Sequence, residues 1–146
     1  VDIEADLRAP CTPDALFAWV RDLERYPTWH EIVTRAEPLG DDIWQVDLRG
    51  KLGPLARTKR LRMRRTMLVE TPTCSQVVFE RDEVDGRNHS PWRLTAEVAP
   101  SADGSRLHMV LHYGGSLWGP VLERVLGDEI ERSRTRLLTL VEVGAP

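Results

Sequence analysis

Residues 119–142 read GPVLERVLGDEIERSRTRLLTLVE, and this stretch decides what the rest of the chain must do. Trp118, Leu122, Val125, Leu126, Ile130, Leu137, Leu140 and Val141 recur at spacings of three, four or seven, the period of a helix with one apolar face. The pattern predicts one amphipathic helix of about 23 residues, opened by Gly119-Pro120 and stopped before Gly144. Asp128 and Arg132 form an i,i+4 pair on its outer face. Gly127 within it costs about 1 kcal/mol relative to Ala and allows close packing or a bend.

Such a helix needs an apolar surface to cover, and the residues before it supply strands. Val1, Ile3, Ala5 and Leu7 alternate with Asp2, Glu4, Asp6 and Arg8, the period-2 mark of a half-buried strand. Thr12 then offers an N-cap and Pro13 a first helical position, with Leu16, Phe17, Trp19, Val20 and Leu23 on one helical face. Pro27 ends the helix near Tyr26. Further strands are predicted over residues 32–39, 43–51, 55–69, 76–82, 91–98 and 106–113, with Leu55, Leu61, Met63, Met67 and Val69 sharing one parity of the long fourth strand. Turns at Gly40-Asp41-Asp42, Asp85-Gly86-Arg87 and Ala102-Asp103-Gly104-Ser105 are short enough for antiparallel hairpins.

Composition narrows the class. A chain of 146 residues with 41% hydrophobic and 29% charged content is the size of one domain, and residues 1–146 are read as a single domain. Twenty basic against 23 acidic side chains leave a net charge of -3, which argues against a dedicated nucleic-acid binder. Cys11 and Cys74 are too few for a disulfide framework, no stretch approaches a membrane span, and the amino terminus lacks the features of an export signal. A soluble cytoplasmic protein, a monomer or weak homodimer without metal or cofactor, is the expectation.

Six or seven antiparallel strands have one apolar face to bury, and only the terminal helix and the short early helices are available to cover it. The order strand, short helices, several strands, long helix, together with FAWVRDLERYPTWHEIV (residues 17–33) and its aromatic turn Tyr26-Pro27-Thr28-Trp29, resembles the SRPBCC or START-like helix-grip superfamily over the whole chain. Polyketide cyclase/dehydrase and lipid-transport proteins belong to that group. The resemblance implies an α+β fold in which a curved antiparallel sheet of six or seven strands wraps a long C-terminal helix, with two short helices after strand one. It also implies an elongated apolar cavity between sheet and helix that takes a small hydrophobic or polycyclic molecule, such as a polyketide, an isoprenoid quinone or a lipid.

The residues agree with that implication. Five Trp outnumber the two Tyr and two Phe together, and inward parity collects Trp44, Leu61, Met63, Phe79, Trp92, Leu94, Leu111 and Tyr113. Tyr26 and Trp29 from the aromatic turn, and Trp118, Leu122 and Val125 from the terminal helix, complete the expected lining.

Candidate chemistry is sparse. Arg60, Arg62 and Arg64 fall opposite Leu61 and Met63 and face solvent, either as a solvated row or as a contact for RNA or a partner protein. Arg57, Lys59 and Arg65 share the inward parity; those near strand ends can snorkel, whereas an inward Arg65 needs a carboxylate, with Glu80 and Glu97 as candidates, or a polar group of the ligand. His108 and His112 on one strand lie roughly 13 Å apart, too far to share a zinc ion. They share the outward parity. His89 sits in a turn, and His30 lies at a helix-to-strand corner near the expected cavity mouth, as an acid, a base or a rim hydrogen-bonding group. No Ser-His-Asp or Cys-His arrangement can be assembled. The glycine-rich residues 114–119 lack a P-loop lysine and read as a hinge gating the cavity.

In the aromatase/cyclases that the chain resembles, an inward arginine polarises polyketide carbonyls, and Arg65 falls at that position. Val33 and Met63 stand where some of those enzymes carry a tyrosine and a serine, removing two polar groups. Three readings of function result, the third an interaction module that meets RNA or a partner protein through the Arg60, Arg62 and Arg64 row. One is a binding protein; another is an aromatase/cyclase or dehydratase that positions its substrate and polarises it through Arg65, Tyr113 or His30 without a covalent intermediate.

Overall fold

A computed structural model describes residues 2–52, 55–114 and 131–142. Strand β1 (Asp2–Ala9) is followed by helix α1 (Pro13–Phe17) and a 3-10 helix (Leu23–Thr28). Six strands then run in succession: β2 (Val33–Gly40), β3 (Ile43–Leu52), β4 (Leu55–Glu70), β5 (Ser75–Arg81), β6 (Trp92–Ser101) and β7 (Gly104–Tyr113). Residues 131–142 are helical and form α2. The seven strands make one antiparallel sheet in the order β1-β7-β6-β5-β4-β3-β2. This is the helix-grip α+β fold.

Within the described residues the predicted elements are present with two corrections. The early helix is shorter than its apolar face suggested and gives way to the 3-10 helix, inside which Pro27 sits. The cause is competition for carbonyls. Arg25 Nη1 donates to the Ala18 carbonyl at 3.3 Å, Trp29 Nε1 to that of Trp19 at 3.0 Å and the Tyr26 hydroxyl to that of Val20 at 2.9 Å. Three successive acceptors are thereby taken by side chains, and the chain turns under the sheet with Val20, Tyr26 and Trp29 buried. The helix start is as read: Pro13 takes the first helical position, and Thr12 Oγ1 accepts from the Ala15 N–H at 3.2 Å.

The second correction lies in β4. Leu61 and Met63 are buried, but Met67 and Val69 are exposed. A register shift between Arg65 and Met67 inserts one residue, so Met67 pairs with outward Val78 while Leu68 pairs with buried Val77. One bulge moves the whole strand end to the other face.

Leu137 and Val141 of α2 are buried against the sheet with Leu140 beside them, as the helical period requires. Trp118, Leu122, Val125, Leu126, Gly127, Ile130, Asp128 of the expected pair with Arg132 and the hinge beyond Gly114 lie outside the described residues.

Candidate functional site

The concave face of the sheet, the 3-10 helix and α2 enclose a cavity of about 150 Å³. Its walls come from every layer. Ile3, Ala5 and Leu7 of β1, Leu107, Met109 and Leu111 of β7, and Trp92 and Leu94 of β6 form one side. Val33 of β2, Val46 and Leu48 of β3, and Lys59, Leu61 and Met63 of β4 form the other, with Leu23, Tyr26, Trp29, His30 and Ile32 at one end and Ser133, Arg134 and Leu137 of α2 across it. Strand alternation explains most of the set: apart from Asp6 between Ala5 and Leu7, the lining residues of each strand are two apart.

Of the residues expected to line a cavity, Tyr26, Trp29, His30, Leu61, Met63, Trp92, Leu94 and Leu111 do so. Four expected residues are placed elsewhere. Trp44 and Phe79 pack edge to face at 5.6 Å in the core beside the cavity, and Trp44 Nε1 donates to the Glu24 carboxylate. Tyr113 stacks on Trp92 at 5.3 Å behind the cavity wall. Arg65 points inward as parity required, but two loops claim it. Its guanidinium lies 2.6 Å from both Asp22 Oδ1 and Asp42 Oδ1 and donates to the Arg21 carbonyl at 2.8 Å. Burial opposes its charge, yet the hydrogen bonds and charges of Asp22 and Asp42 outweigh that and hold the pKa above the usual arginine value. Glu80 and Glu97, the partners suggested by sequence, are not used.

The cavity's polar groups are few. Tyr26 is committed to Val20, and burial with nearby Asp22 pushes its phenol pKa up. His30 is half-buried as a residue, but its Nδ1 is sealed from solvent without a hydrogen-bond partner. The ring sits 5.3 Å from Trp29 and 6.3 Å from Tyr26. Desolvation lowers its pKa to about 4 against a weaker opposing pull from Glu31, so it is neutral at pH 7. Lys59, which the sequence reading allowed to snorkel, lines the cavity with its ammonium 5.7 Å from the Trp92 ring centroid. Trp92 Nε1 and Arg134 Nε are buried and unpartnered. The sequence missed Lys59 and Arg134 as lining residues; inward parity was the available signal for the first, and for the second there was none.

The outer face is neutralised strand by strand. Arg60 pairs with Asp47 at 2.8 Å, and Arg62 and Arg64 both reach Asp82. His108 and His112 face outward and meet Asp6 and Asp2 across the β1–β7 ladder, and His89 meets Asp85. Among the described residues no three His, Cys, Asp or Glu side chains gather as metal ligands, and no helix is long and apolar enough to cross a membrane.

Residues 1–142 match the model of a family described as polyketide cyclase/dehydrase and lipid transport. The chain belongs to that family. No curated protein matches it in sequence. Among solved structures, it resembles a START superfamily protein from Mycobacterium smegmatis at 15% identity, TM-score 0.69, over 99% of this chain and 98% of that one. A protein from Thermus thermophilus aligns at 14% identity and TM-score 0.69 over all of both chains. The ZhuI aromatase/cyclase from a Streptomyces species aligns at 14% identity and TM-score 0.68, covering 100% of this chain and 99% of that one. At these identities the likeness establishes the fold of this polyketide cyclase/dehydrase and lipid-transport family member and leaves its chemistry to its own residues.

Proposed function

We propose that this protein binds a small hydrophobic or polycyclic molecule, of the polyketide, isoprenoid quinone or lipid kind, in the cavity between sheet and α2. The observation that carries the reading is the wall itself: apolar side chains from the strands and both helical layers surround about 150 Å³. Closely packed interiors rarely leave such space, and an apolar cavity of that order accepts a benzene-sized guest. Flat Trp29 and Trp92 surfaces suit a ring or an acyl chain.

A second reading, a cyclase or dehydratase, is favoured by His30. It lines the cavity as a neutral imidazole with an unpartnered ring nitrogen, the state a general base needs. Arg65 and Tyr113 lend it less support, because neither lines the cavity.

Native mass spectrometry of the protein after incubation with a bacterial small-molecule extract tests both, with Leu94→Trp as the filled-cavity control. A hydrophobic compound recovered unchanged at one per chain, and lost in Leu94→Trp, supports binding. A protein-dependent change in the compound's mass or ring pattern, abolished by His30→Gln, supports catalysis. Equal adducts on wild type and Leu94→Trp would remove the cavity from either account.

A further inference from the structure

The cavity's unpartnered polar atoms are biased in one direction. Trp92 Nε1 and Arg134 Nε are buried without partners, and both groups donate hydrogen bonds without accepting any. Lys59 adds an ammonium. Pairing between β4 and β5 ends at Met63 and Arg81, and beyond that point the inward Lys59 side chain crosses to β6 and lies over Trp92. His30 Nδ1 donates or accepts according to its tautomer.

Nearby carboxylates are already committed. Glu83 accepts from Arg81 Nε and the Arg62 N–H at 3.0 Å each, and the Asp6 carboxylate is held by Arg106 and His108 on the outer face. Lys59 has no carboxylate within ion-pair distance among the described residues. Desolvation holds its pKa below the usual lysine value, with neighbouring Arg81 acting in the same direction and Glu83 against it. An unpaired cation over the face of an indole whose own N–H is unpartnered, on an otherwise apolar wall, calls for a hydrogen-bond acceptor.

We propose that the ligand is an anionic amphiphile, a small carboxylic acid with an acyl or aryl body, whose carboxylate is received by the Lys59 ammonium over the Trp92 ring while its body fills the cavity. The assignment rests on the cavity-binding reading above and specifies its ligand class. Neutral hydrocarbons leave these donors unsatisfied, and an amine places a second cation beside Lys59.

The test is a titration followed by tryptophan fluorescence at pH 7.5 with two matched series: octanoate, octan-1-ol and octylamine, and 3-phenylpropanoate and 3-phenylpropan-1-ol. The acid should bind about tenfold tighter than its alcohol in at least one series, the size of one charge-assisted hydrogen bond. The series showing the tighter acid identifies an acyl or an aryl body. Lys59→Met should erase the preference while the alcohol still binds, which shows the cavity is intact, and Lys59→Arg should keep it. Alcohols that equal or exceed the acids, or a preference that survives Lys59→Met, overturns the proposal while leaving the cavity reading in place. Failure of all five compounds to bind overturns both.

Discussion

Arg65 grips Asp42 twice. Its backbone N–H donates to the Asp42 carbonyl at 2.8 Å, and its guanidinium Nη2 lies 2.6 Å from Asp42 Oδ1. Asp42 has a left-handed φ of 59° at the tip of the β2–β3 turn, so the arginine fixes a conformation that is otherwise uncommon outside Gly, Asn and Asp. A second carboxylate, Asp22, ties the same guanidinium to the loop before the 3-10 helix. Arg65→Ala leaves two acidic groups without their cation, one of them half-exposed, and should lower unfolding stability by about 1 to 3 kcal/mol in urea titrations. Binding of a cavity ligand should be unchanged. A variant that keeps full stability yet loses ligand would return Arg65 to the binding machinery.

His30 sets a pH dependence. Its folded pKa of about 4 lies below the ordinary value of 6.5 because burial penalises the imidazolium. The unfolded chain therefore takes up a proton before the folded one does, and stability falls as pH drops from about 6.5 to about 4. Above that window His30 contributes no slope, and below it no further loss. The full difference amounts to at most about 3 kcal/mol. Urea unfolding of wild type and His30→Gln at pH 7, 5.5 and 4 should show the wild type losing more stability, with the gap opening inside that window.

Gly104 is the tightest backbone contact of the β6–β7 hairpin. Its φ is +144°, and a Cβ there would come 2.3 Å from the Ala9 carbonyl oxygen and 2.9 Å from the Cys11 N. Neither neighbour is a side chain that can move aside. Gly104→Ala should cost at least about 2 kcal/mol through combined strain and clash. Gly86→Ala, also at positive φ but in open space, should cost roughly 1 kcal/mol. Comparing the two melting temperatures separates clash from backbone strain.

How far the sequence carried depends on what each signal encodes. Alternation at Ile3, Ala5 and Leu7 and at Leu61 and Met63 fixed the inward face, and those residues line the cavity. Alternation does not say where along a strand the covering layer sits, and so Trp44 and Phe79 share that face yet pack in the core. It also fails across a bulge, which is why Met67 and Val69 face away from Leu61 and Met63 despite their shared parity. Arg65's need for carboxylates followed from its parity; their identity did not, because Asp22 and Asp42 lie 43 and 23 residues away in loops whose return to β4 is a tertiary fact. Lys59 carried the right parity, and only the early end of the β4–β5 pairing gave it a place on the wall.

Residue Glu31 joins the aromatic turn to α2 by two different physical means, and salt can separate them. Its backbone N–H donates to Ser133 Oγ at 3.2 Å, and Ser133 is buried. Its carboxylate lies 3.0 Å from Arg136 Nη2 and 3.4 Å from Arg132 Nε, with both arginines about half exposed. The first contact is short-ranged and shielded, while the second is open to counterions. Ser133→Ala should cost about 1 kcal/mol at any ionic strength, since it leaves a part-buried N–H without its acceptor. Glu31→Gln should cost only about 0.5 kcal/mol at low salt and nearly nothing at 1 M NaCl, where the Debye length falls to about 3 Å. Urea unfolding of both variants at about 20 mM and 1 M NaCl distinguishes the contributions. A salt-insensitive loss in Glu31→Gln would mean that the carboxylate holds α2 through a buried contact instead of a solvated ion pair.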